Sequence, residues 1–262
     1  MASASGEAQA SSQIPPRIGG SGGRTPRLTF MLDVDNTLLD NDAAKAEIDR
    51  RLRALAGDAE TARFWRIYEE VRDDTGVVSY PLTLAAFDED AHANHRGLVR
   101  DEAAWRARCR ALADLLLDFP YRDFVYPGAL ATIAHLRALG AAVILSDGDP
   151  AYQPLKITRS GLGAAADGCV LVYSHKEEHL REVRACFPAD HYVLADDKPN
   201  VIDKVRARLA APLTTVLVRQ GKYAAAAAQG PWAGADLAVE AIGDLRGYSA
   251  ADFLAAAGRA TG

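Results

Sequence analysis

The sequence has few cysteines and no long apolar segment, and both absences exclude classes of protein. Its only cysteines are Cys109, Cys169 and Cys186, an odd number spread far apart in 262 residues. Such a set forms neither a disulfide framework nor a metal knuckle, and it is typical of a reducing compartment. No apolar run approaches the roughly 20 residues that span a bilayer. We therefore expect a cytoplasmic protein that has no membrane partner.

The sequence also lacks an excess of basic residues. It has 30 Lys and Arg against 35 Asp and Glu, which gives a formal net charge of −5. No cluster of Lys and Arg marks a basic face of the kind that binds nucleic acid. We therefore expect no nucleic-acid partner, and nothing in the sequence indicates an oligomeric state.

The first 26 residues have little apolar content. They are rich in Ser, Gly, Ala and Pro, and they lack the apolar core of a signal peptide. Because such a segment cannot bury enough apolar surface to offset the entropy of ordering it, residues 1–26 are predicted to be a disordered tail.

Short apolar runs follow, and they alternate with amphipathic stretches such as Ala129–Leu139 and Pro199–Leu209. Continuous apolar runs are typical of parallel strands that are covered on both faces. Strand–helix alternation predicts a doubly wound α/β core with right-handed crossovers. The predicted strands are Leu28–Asp35, Ala141–Asp147, Gly168–Ser174, His191–Asp197, Thr214–Gln220 and, more weakly, Ala235–Ile242.

One interval interrupts this alternation. About a hundred residues separate the first two strands, far more than one crossover helix needs. Apolar residues at helical spacing, such as Ile48, Leu52 and Leu55, predict about four helices there. Residues 41–124 are therefore predicted to be an all-helical insertion into a core formed by residues 27–40 and 125–246. Residues 247–262 are predicted to form a short, fraying C-terminal helix.

Two aspartates, Asp33 and Asp35, follow the first predicted strand directly. Ligands of an open parallel sheet bind at the carboxyl ends of its strands, and residues two apart point the same way. Two carboxylates crowded there are costly unless a cation neutralises them. The sequence therefore predicts a Mg²⁺ site at this edge, because Mg²⁺ prefers oxygen ligands.

Polar residues also end the next three predicted strands. Ser146 and Asp147 end the second, Lys176 follows the third, and Asp196 and Asp197 end the fourth. A hydroxyl, an ammonium group and a second acid pair are thus expected at the edge that carries the first pair. After the second strand, the residues at positions 149 and 150 are predicted to be a helix N-cap and the first helical residue.

These four motifs together resemble the signature of the haloacid dehalogenase-like superfamily: Asp-x-Asp-x-Thr, a strand-terminal Ser, a Lys and a strand-terminal Asp-Asp. The resemblance covers residues 27–221. It implies a Rossmann-like core, usually with strand order 5-4-1-2-3, and the insertion at 41–124 resembles the helical cap that many members carry after the first strand.

The resemblance also implies roles for the acids. Asp33 matches the nucleophile, which is transiently phosphorylated. Asp35 matches the general acid/base, whose backbone carbonyl also binds Mg²⁺. Asp196 matches the acidic metal ligand, and Asp197 is a second candidate beside it. The metal set expected is thus Asp33, Asp35, Asp196 and Asp197.

The phosphate-binding side is implied in the same way. Ser146 matches the phosphate-binding hydroxyl and Lys176 the phosphate-binding lysine, with Asn36 and Asp147 as further candidates. Lys156 also precedes the third strand, but its position predicts a surface or accessory residue on the helix after the second strand. Asp147 stands where many relatives carry a neutral residue.

The function expected from this set is the Mg²⁺-dependent hydrolysis of a small phosphorylated metabolite. Asp35 favours phosphate chemistry, because a halide leaves without a proton and needs no metal. Alternatives within the superfamily are a phosphomutase or phosphotransferase and a haloacid dehalogenase, and a non-catalytic binding protein is a further alternative. Cap motion is expected to gate the site through hinges near residues 39–42 and 124–128.

No cap residue is singled out as selecting the substrate. Arg63, Arg66 and Arg72 fall on one predicted helix together with Glu69 and Glu70. Such residues are expected to form a solvated face, with contact to a substrate anion as the alternative.

Overall fold

The computed structural model describes residues 26–223 and 234–259. The predicted N-terminal tail therefore lies almost wholly outside the described residues. Within them, six parallel strands form one sheet in the order β3-β2-β1-β4-β5-β6. The strands are β1 (Leu28–Leu32), β2 (Ala141–Asp147), β3 (Val170–Tyr173), β4 (His191–Asp196), β5 (Leu213–Val218) and β6 (Leu237–Val239). The expected doubly wound, Rossmann-like fold is confirmed, and β6 extends the expected five-strand order beyond β5.

The helices alternate with these strands as the apolar pattern predicts. They are α1 (Asn41–Ala56), α2 (Asp58–Thr75), α3 (Tyr80–Asn94), α4 (Glu102–Leu117), α5 (Ala129–Leu139), α6 (Tyr152–Ser160), α7 (Leu162–Ala165), α8 (Leu180–Cys186), α9 (Pro199–Arg208) and α10 (Ala250–Ala256). Short 3-10 helices cover Tyr121–Phe124, Lys176–Glu178 and Ile242–Gly247. Among the described residues, no helix is both long and apolar enough to cross a bilayer.

Both faces of the sheet are buried, as the continuous apolar runs indicate. Phe30 and Leu32 of β1 pack into one hydrophobic cluster with α5, whereas Met31 between them packs into a second cluster with α8 and α9. This split follows from the two-residue period of a strand, which sends successive side chains to opposite faces.

The register brings the strand ends to one edge. Leu32 of β1 pairs with Ile144 of β2 and with Ala195 of β4, so the residues that follow these positions lie side by side. The chain leaves β1 after Leu32, and the backbone N–H of Asp33 still donates to the Ala195 carbonyl at 3.0 Å. The predicted polar residues therefore meet at the carboxyl edge of the sheet.

All elements between β1 and α5 are helical, namely α1 to α4 and the turn Tyr121–Phe124. The segment that leads into this insertion and the segment that leads out of it form hydrogen bonds with each other. The Asp40 N–H donates to the Phe124 carbonyl at 2.8 Å, and the Tyr126 N–H donates to the Leu38 carbonyl at 3.0 Å. The helical content agrees with a cap over residues 41–124, and the expected hinges coincide with this paired base.

One expectation about the cap is wrong. Arg63 is 8% exposed and does not lie on a solvated face. Its guanidinium pairs with Glu60 at 2.7 Å and with Asp90 at 2.8 Å. It also lies over the Phe87 ring, 3.7 Å from the centroid. Arg63 is therefore a buried link between α2 and α3, because carboxylates and an aromatic ring replace its water.

The C-terminal helix α10 is docked rather than frayed. The Ser249 side chain accepts from the Asp252 N–H, and the Asp252 carboxylate accepts from the Ser249 N–H, which completes a capping box. Phe253 is fully buried, and its ring lies 5.2 Å from that of Phe30 in β1. Burial of this ring against the sheet fixes the helix.

Candidate active site

The loop after β1 places Asp33 at the centre of the carboxyl edge. Asp33 is 2% exposed, and its backbone is held to β4 by the bond to Ala195. The turn that follows is tight: the N–H groups of Thr37, Leu38 and Leu39 all donate to the Val34 carbonyl. The carboxylate of Asp33 is therefore presented at a fixed position.

Lys176 joins the first and fourth strand ends. Its ammonium group donates to Asp33 Oδ1 at 2.6 Å and to the Leu145 carbonyl at 3.2 Å, and it lies 2.7 Å from Asp196 Oδ2. The side chain is 1% exposed. The structure thus brings Lys176, and not Lys156, to the predicted nucleophile.

Three carboxylates gather beside this lysine. Asp33, Asp196 and Asp197 each offer an oxygen, and these oxygens lie within 4.8 Å of one another. Asp33 Oδ2 and both carboxylate oxygens of Asp197 are buried without a hydrogen-bond partner. Buried carboxylate oxygens are costly when unpaired, and a divalent cation with oxygen ligands would satisfy them. The residues therefore fit the expected Mg²⁺.

The pKa values of these acids diverge. Burial raises the pKa of Asp33, but the charges of Lys176 and Lys198 outweigh burial and hold it below its ordinary value. Burial, with Asp33 and Asp196 nearby, raises the pKa of Asp197 to about 8. Burial likewise raises the pKa of Asp196 to about 6 despite the charge of Lys176. The two lysines thus favour the ionised form of Asp33, whereas burial favours the protonated form of Asp197, whose proton a bound cation would displace.

The second acid of the first motif, Asp35, has different partners. Its carboxylate accepts a hydrogen bond from the Lys156 ammonium group, and Gln153 Nε2 lies 3.4 Å from its other oxygen. Both partners lie on α6. Lys156 is 4% exposed, so it is not the surface residue that its sequence position predicts.

Ser146 and Asp147 stand at the end of β2. The Ser146 hydroxyl is buried and accepts from Gln153 Nε2 at 2.9 Å. Asp147 Oδ1 accepts from the backbone N–H of Lys176 at 2.7 Å. This bond gives a structural account of Asp147, because the carboxylate fixes the loop that carries Lys176. A direct phosphate contact of Asp147 remains a prediction.

Asn36 serves the loop as well. Its side-chain oxygen accepts from the backbone N–H groups of Asn41 and Asp42 at the start of α1. Asn36 is in the left-handed region at φ 62°, and a Cβ on Gly221 would lie 2.4 Å from the Asn36 Cβ. The oxygen of Asn36 is thus committed to the helix, and a phosphate contact through its amide nitrogen remains a prediction.

Residues that were not singled out also belong to the site. Lys198 lines the cleft beside the acid cluster, and Gln153 bridges Asp35 and Ser146. Gln153 and Lys156 are three residues apart on a helix that follows a site strand, a spacing that places both on one face. This spacing is the sequence signal from which the place of both residues in the site could have been predicted. The expected start of this helix is wrong by two residues: α6 begins at Tyr152 with Ala151 as its N-cap, and Pro150 lies in the preceding turn. Asp149 Oδ1 nevertheless accepts from the N–H groups of Ala151 and Tyr152, so it stabilises this turn and the start of the helix.

A cleft of about 190 Å³ lies between the cap helices and this edge of the sheet. Asp35, Asp147 and Gly148 line it from the core, and Val77 and Val78 line it from the cap. Aromatic side chains form much of its wall: Tyr68, Tyr80, Tyr121 and Tyr152. Positively charged groups also face it: Lys45, Arg72, Lys156 and Lys198. The cleft therefore suits a small anion with an apolar part.

Comparisons with known proteins agree with this arrangement. The haloacid dehalogenase-like hydrolase family matches residues 28–218, which is most of the chain. A structure from Burkholderia xenovorans LB400, described as a haloacid dehalogenase-like hydrolase, is 38% identical with a TM-score of 0.73. The match covers 87% of this chain and 98% of that one. No curated protein matches the chain.

More distant structures share the fold alone. The HAD-hydrolase YfnB from Bacillus subtilis, bound to magnesium, is 16% identical with a TM-score of 0.52, over 84% of this chain and 97% of that one. An L-2-haloacid dehalogenase is 18% identical with a TM-score of 0.52, over the same shares of the two chains. Together with the four motifs at one sheet edge, the family match shows that this chain belongs to the haloacid dehalogenase-like hydrolases.

Proposed function

We propose that the chain is a Mg²⁺-dependent phosphohydrolase that releases phosphate from a small phosphorylated metabolite through an aspartyl-phosphate on Asp33. The observation that carries this proposal is the cluster of Asp33, Asp196 and Asp197, in which Asp33 Oδ2 and both oxygens of Asp197 are buried without a hydrogen-bond partner. Displacement of a halide needs no cation at such a cluster, whereas a phosphoryl group brings negative charge into it.

The chemistry follows from the positions of the side chains. Asp33 is held ionised by Lys176, so its carboxylate is the nucleophile that attacks phosphorus. Asp35 protonates the leaving alkoxide and then deprotonates the water that attacks the aspartyl-phosphate. Lys176 and the Ser146 hydroxyl orient the phosphate oxygens. A bound Mg²⁺ would neutralise the three carboxylates and the phosphoryl oxygens.

The direct test is release of phosphate from a panel of about a hundred phosphorylated metabolites and from p-nitrophenyl phosphate. We expect activity that requires Mg²⁺, is removed by EDTA and is lost in Asp33→Asn, which keeps the shape of the side chain without its charge. Activity that survives this substitution contradicts the proposed nucleophile. Adding alcohols or sugars as acceptors separates hydrolysis from phosphoryl transfer, since a mutase or transferase would retain the phosphoryl group.

A haloacid dehalogenase is the second candidate, because the Asp33–Lys176 pair is complete without a cation. In that reaction Asp33 attacks the carbon that bears the halogen, the halide leaves, and water hydrolyses the resulting ester. The same panel therefore includes 2-haloacids, assayed for halide release with and without EDTA. Halide release without metal, together with no phosphate release, would reverse the order of the two candidates. Tight binding without turnover of either class would favour a binding protein.

A further inference from the structure

Lys156 is a buried lysine that has no role in the reaction proposed above. It extends from α6, is 4% exposed, and its ammonium group donates to the Asp35 carboxylate. It also donates to Asn41 Oδ1 at 2.7 Å, at the residue where the first cap helix begins. A buried lysine needs an anionic or polar partner for its charge, and Lys156 finds both partners within the cleft.

Gln153 holds the same carboxylate from a second direction. Its Nε2 lies 2.9 Å from the Ser146 hydroxyl and 3.4 Å from Asp35 Oδ2. One nitrogen thus connects the proposed acid to the proposed phosphate-binding hydroxyl. The Gln153 side chain also packs directly against Gly148, where an added Cβ would lie 2.8 Å from Gln153 Cβ.

We propose that Lys156 and Gln153 are positioning residues that fix the Asp35 carboxyl group beside the leaving oxygen of the substrate. The proposal rests on the proposed phosphohydrolase function. Neither residue touches the phosphorus. They act by restricting Asp35, which lies in a partly exposed turn and has no other side-chain partner among the bonds described for it.

This role has a distinct kinetic consequence. Proton transfer to a leaving group contributes about 10²- to 10⁴-fold, and a misplacement of about 1 Å can cost 10²-fold. A leaving group that departs readily as an anion needs little help from an acid. If Asp35 is no longer held in position, hydrolysis of esters with poor leaving groups should become slower, whereas hydrolysis of esters with good leaving groups should change little.

The test measures kcat/KM of Lys156→Met and Gln153→Ala on aryl and alkyl phosphates, from p-nitrophenyl phosphate through phenyl phosphate to benzyl phosphate. We expect Lys156→Met to lose less than about 3-fold on p-nitrophenyl phosphate and about 10²-fold on benzyl phosphate. Gln153→Ala also removes the hydrogen bond to Ser146, so we expect it to slow all three esters and to slow benzyl phosphate at least about 10-fold more than p-nitrophenyl phosphate. The rate of the variants thus depends more steeply on the leaving group than that of the wild type. Lys222→Met, at a lysine that is 61% exposed, is the matched control and should behave as the wild type.

A uniform loss along the series in both variants would overturn the proposal, because damage to the fold or to phosphate binding slows all esters alike. So would unchanged rates on all three esters. Gln153→Ala keeps the proposal testable if Lys156→Met does not fold. Failure of the proposed function is distinguishable, since the wild type would then show no phosphate release that depends on Asp33.

Discussion

The ammonium group of Lys176 lies 2.6 Å from the Asp33 carboxylate, in a pair whose side chains are 1% and 2% exposed. Attraction between opposite charges is far stronger where water is excluded, so this lysine keeps the carboxylate ionised inside the protein. The same ammonium group lies 2.7 Å from Asp196. One ammonium group thus contacts acids from two strand ends, whereas both carboxylate oxygens of the third acid, Asp197, are buried without a hydrogen-bond partner.

Substitution of Lys176 by Met should destabilise the fold as well as abolish activity. Removing one partner from a buried ion pair leaves the other charge uncompensated, which costs about 3–5 kcal/mol. The measurement is the free energy of unfolding from urea denaturation with EDTA present. Lys222→Met, at an exposed pair with Asp42, should cost less than about 1 kcal/mol. Equal losses in the two variants would contradict the assigned burial of the Lys176 charge.

The stability of the metal-free protein should fall as the pH rises from about 4 to about 8. Burial raises the pKa of Asp197 from an ordinary value of 3.8 to about 8. The folded state therefore binds a proton in this window that the unfolded state has lost. This contribution to stability is complete below the unfolded pKa and is lost as the pH passes the folded pKa. Asp196, raised to about 6, acts in the same direction.

Urea denaturation at several pH values with EDTA checks this dependence. Asp197→Asn should be more stable than the wild type at pH 8, because the amide carries no charge to bury, and its stability should vary less with pH. Mg²⁺ should stabilise the wild type, by about 2.7 kcal/mol at a hundredfold excess over Kd, and stabilise this variant less. A wild type that becomes more stable between pH 5 and pH 8 without metal would contradict the account.

Arg63 and Arg66 offer a matched comparison on one helix. Arg63 is buried between Glu60 and Asp90, whereas the side chain of Arg66 is 51% exposed and pairs with Glu70. We expect Arg63→Met to lower the free energy of unfolding by about 3 kcal/mol and Arg66→Met by less than about 1 kcal/mol. Thermal denaturation of the two variants measures the difference. Equal small effects would mean that the α2–α3 contact does not depend on the buried charge.

The sheet and the acid pairs could be predicted because their signals are local. Apolar runs give the strands, and parallel strands bring Asp33 and Asp196 to one edge whatever the detail of the helices. The burial of Arg63 could not be predicted in this way, since its partner Asp90 lies on another helix. The Lys156–Asp35 bond joins residues 121 positions apart, and no local pattern encodes such a contact.

The group that receives oxygen from solvent distinguishes an aspartyl-phosphate on Asp33 from an aspartyl ester of a dehalogenase. A phosphatase hydrolyses its aspartyl-phosphate by attack of water on phosphorus, whereas the ester formed in dehalogenation is opened at the Asp33 carbonyl carbon. In a single turnover in H₂¹⁸O with a substrate from the panel, we expect label in the released phosphate and none in the peptide that carries Asp33. Label in Asp33 itself, detected by mass spectrometry, would contradict it.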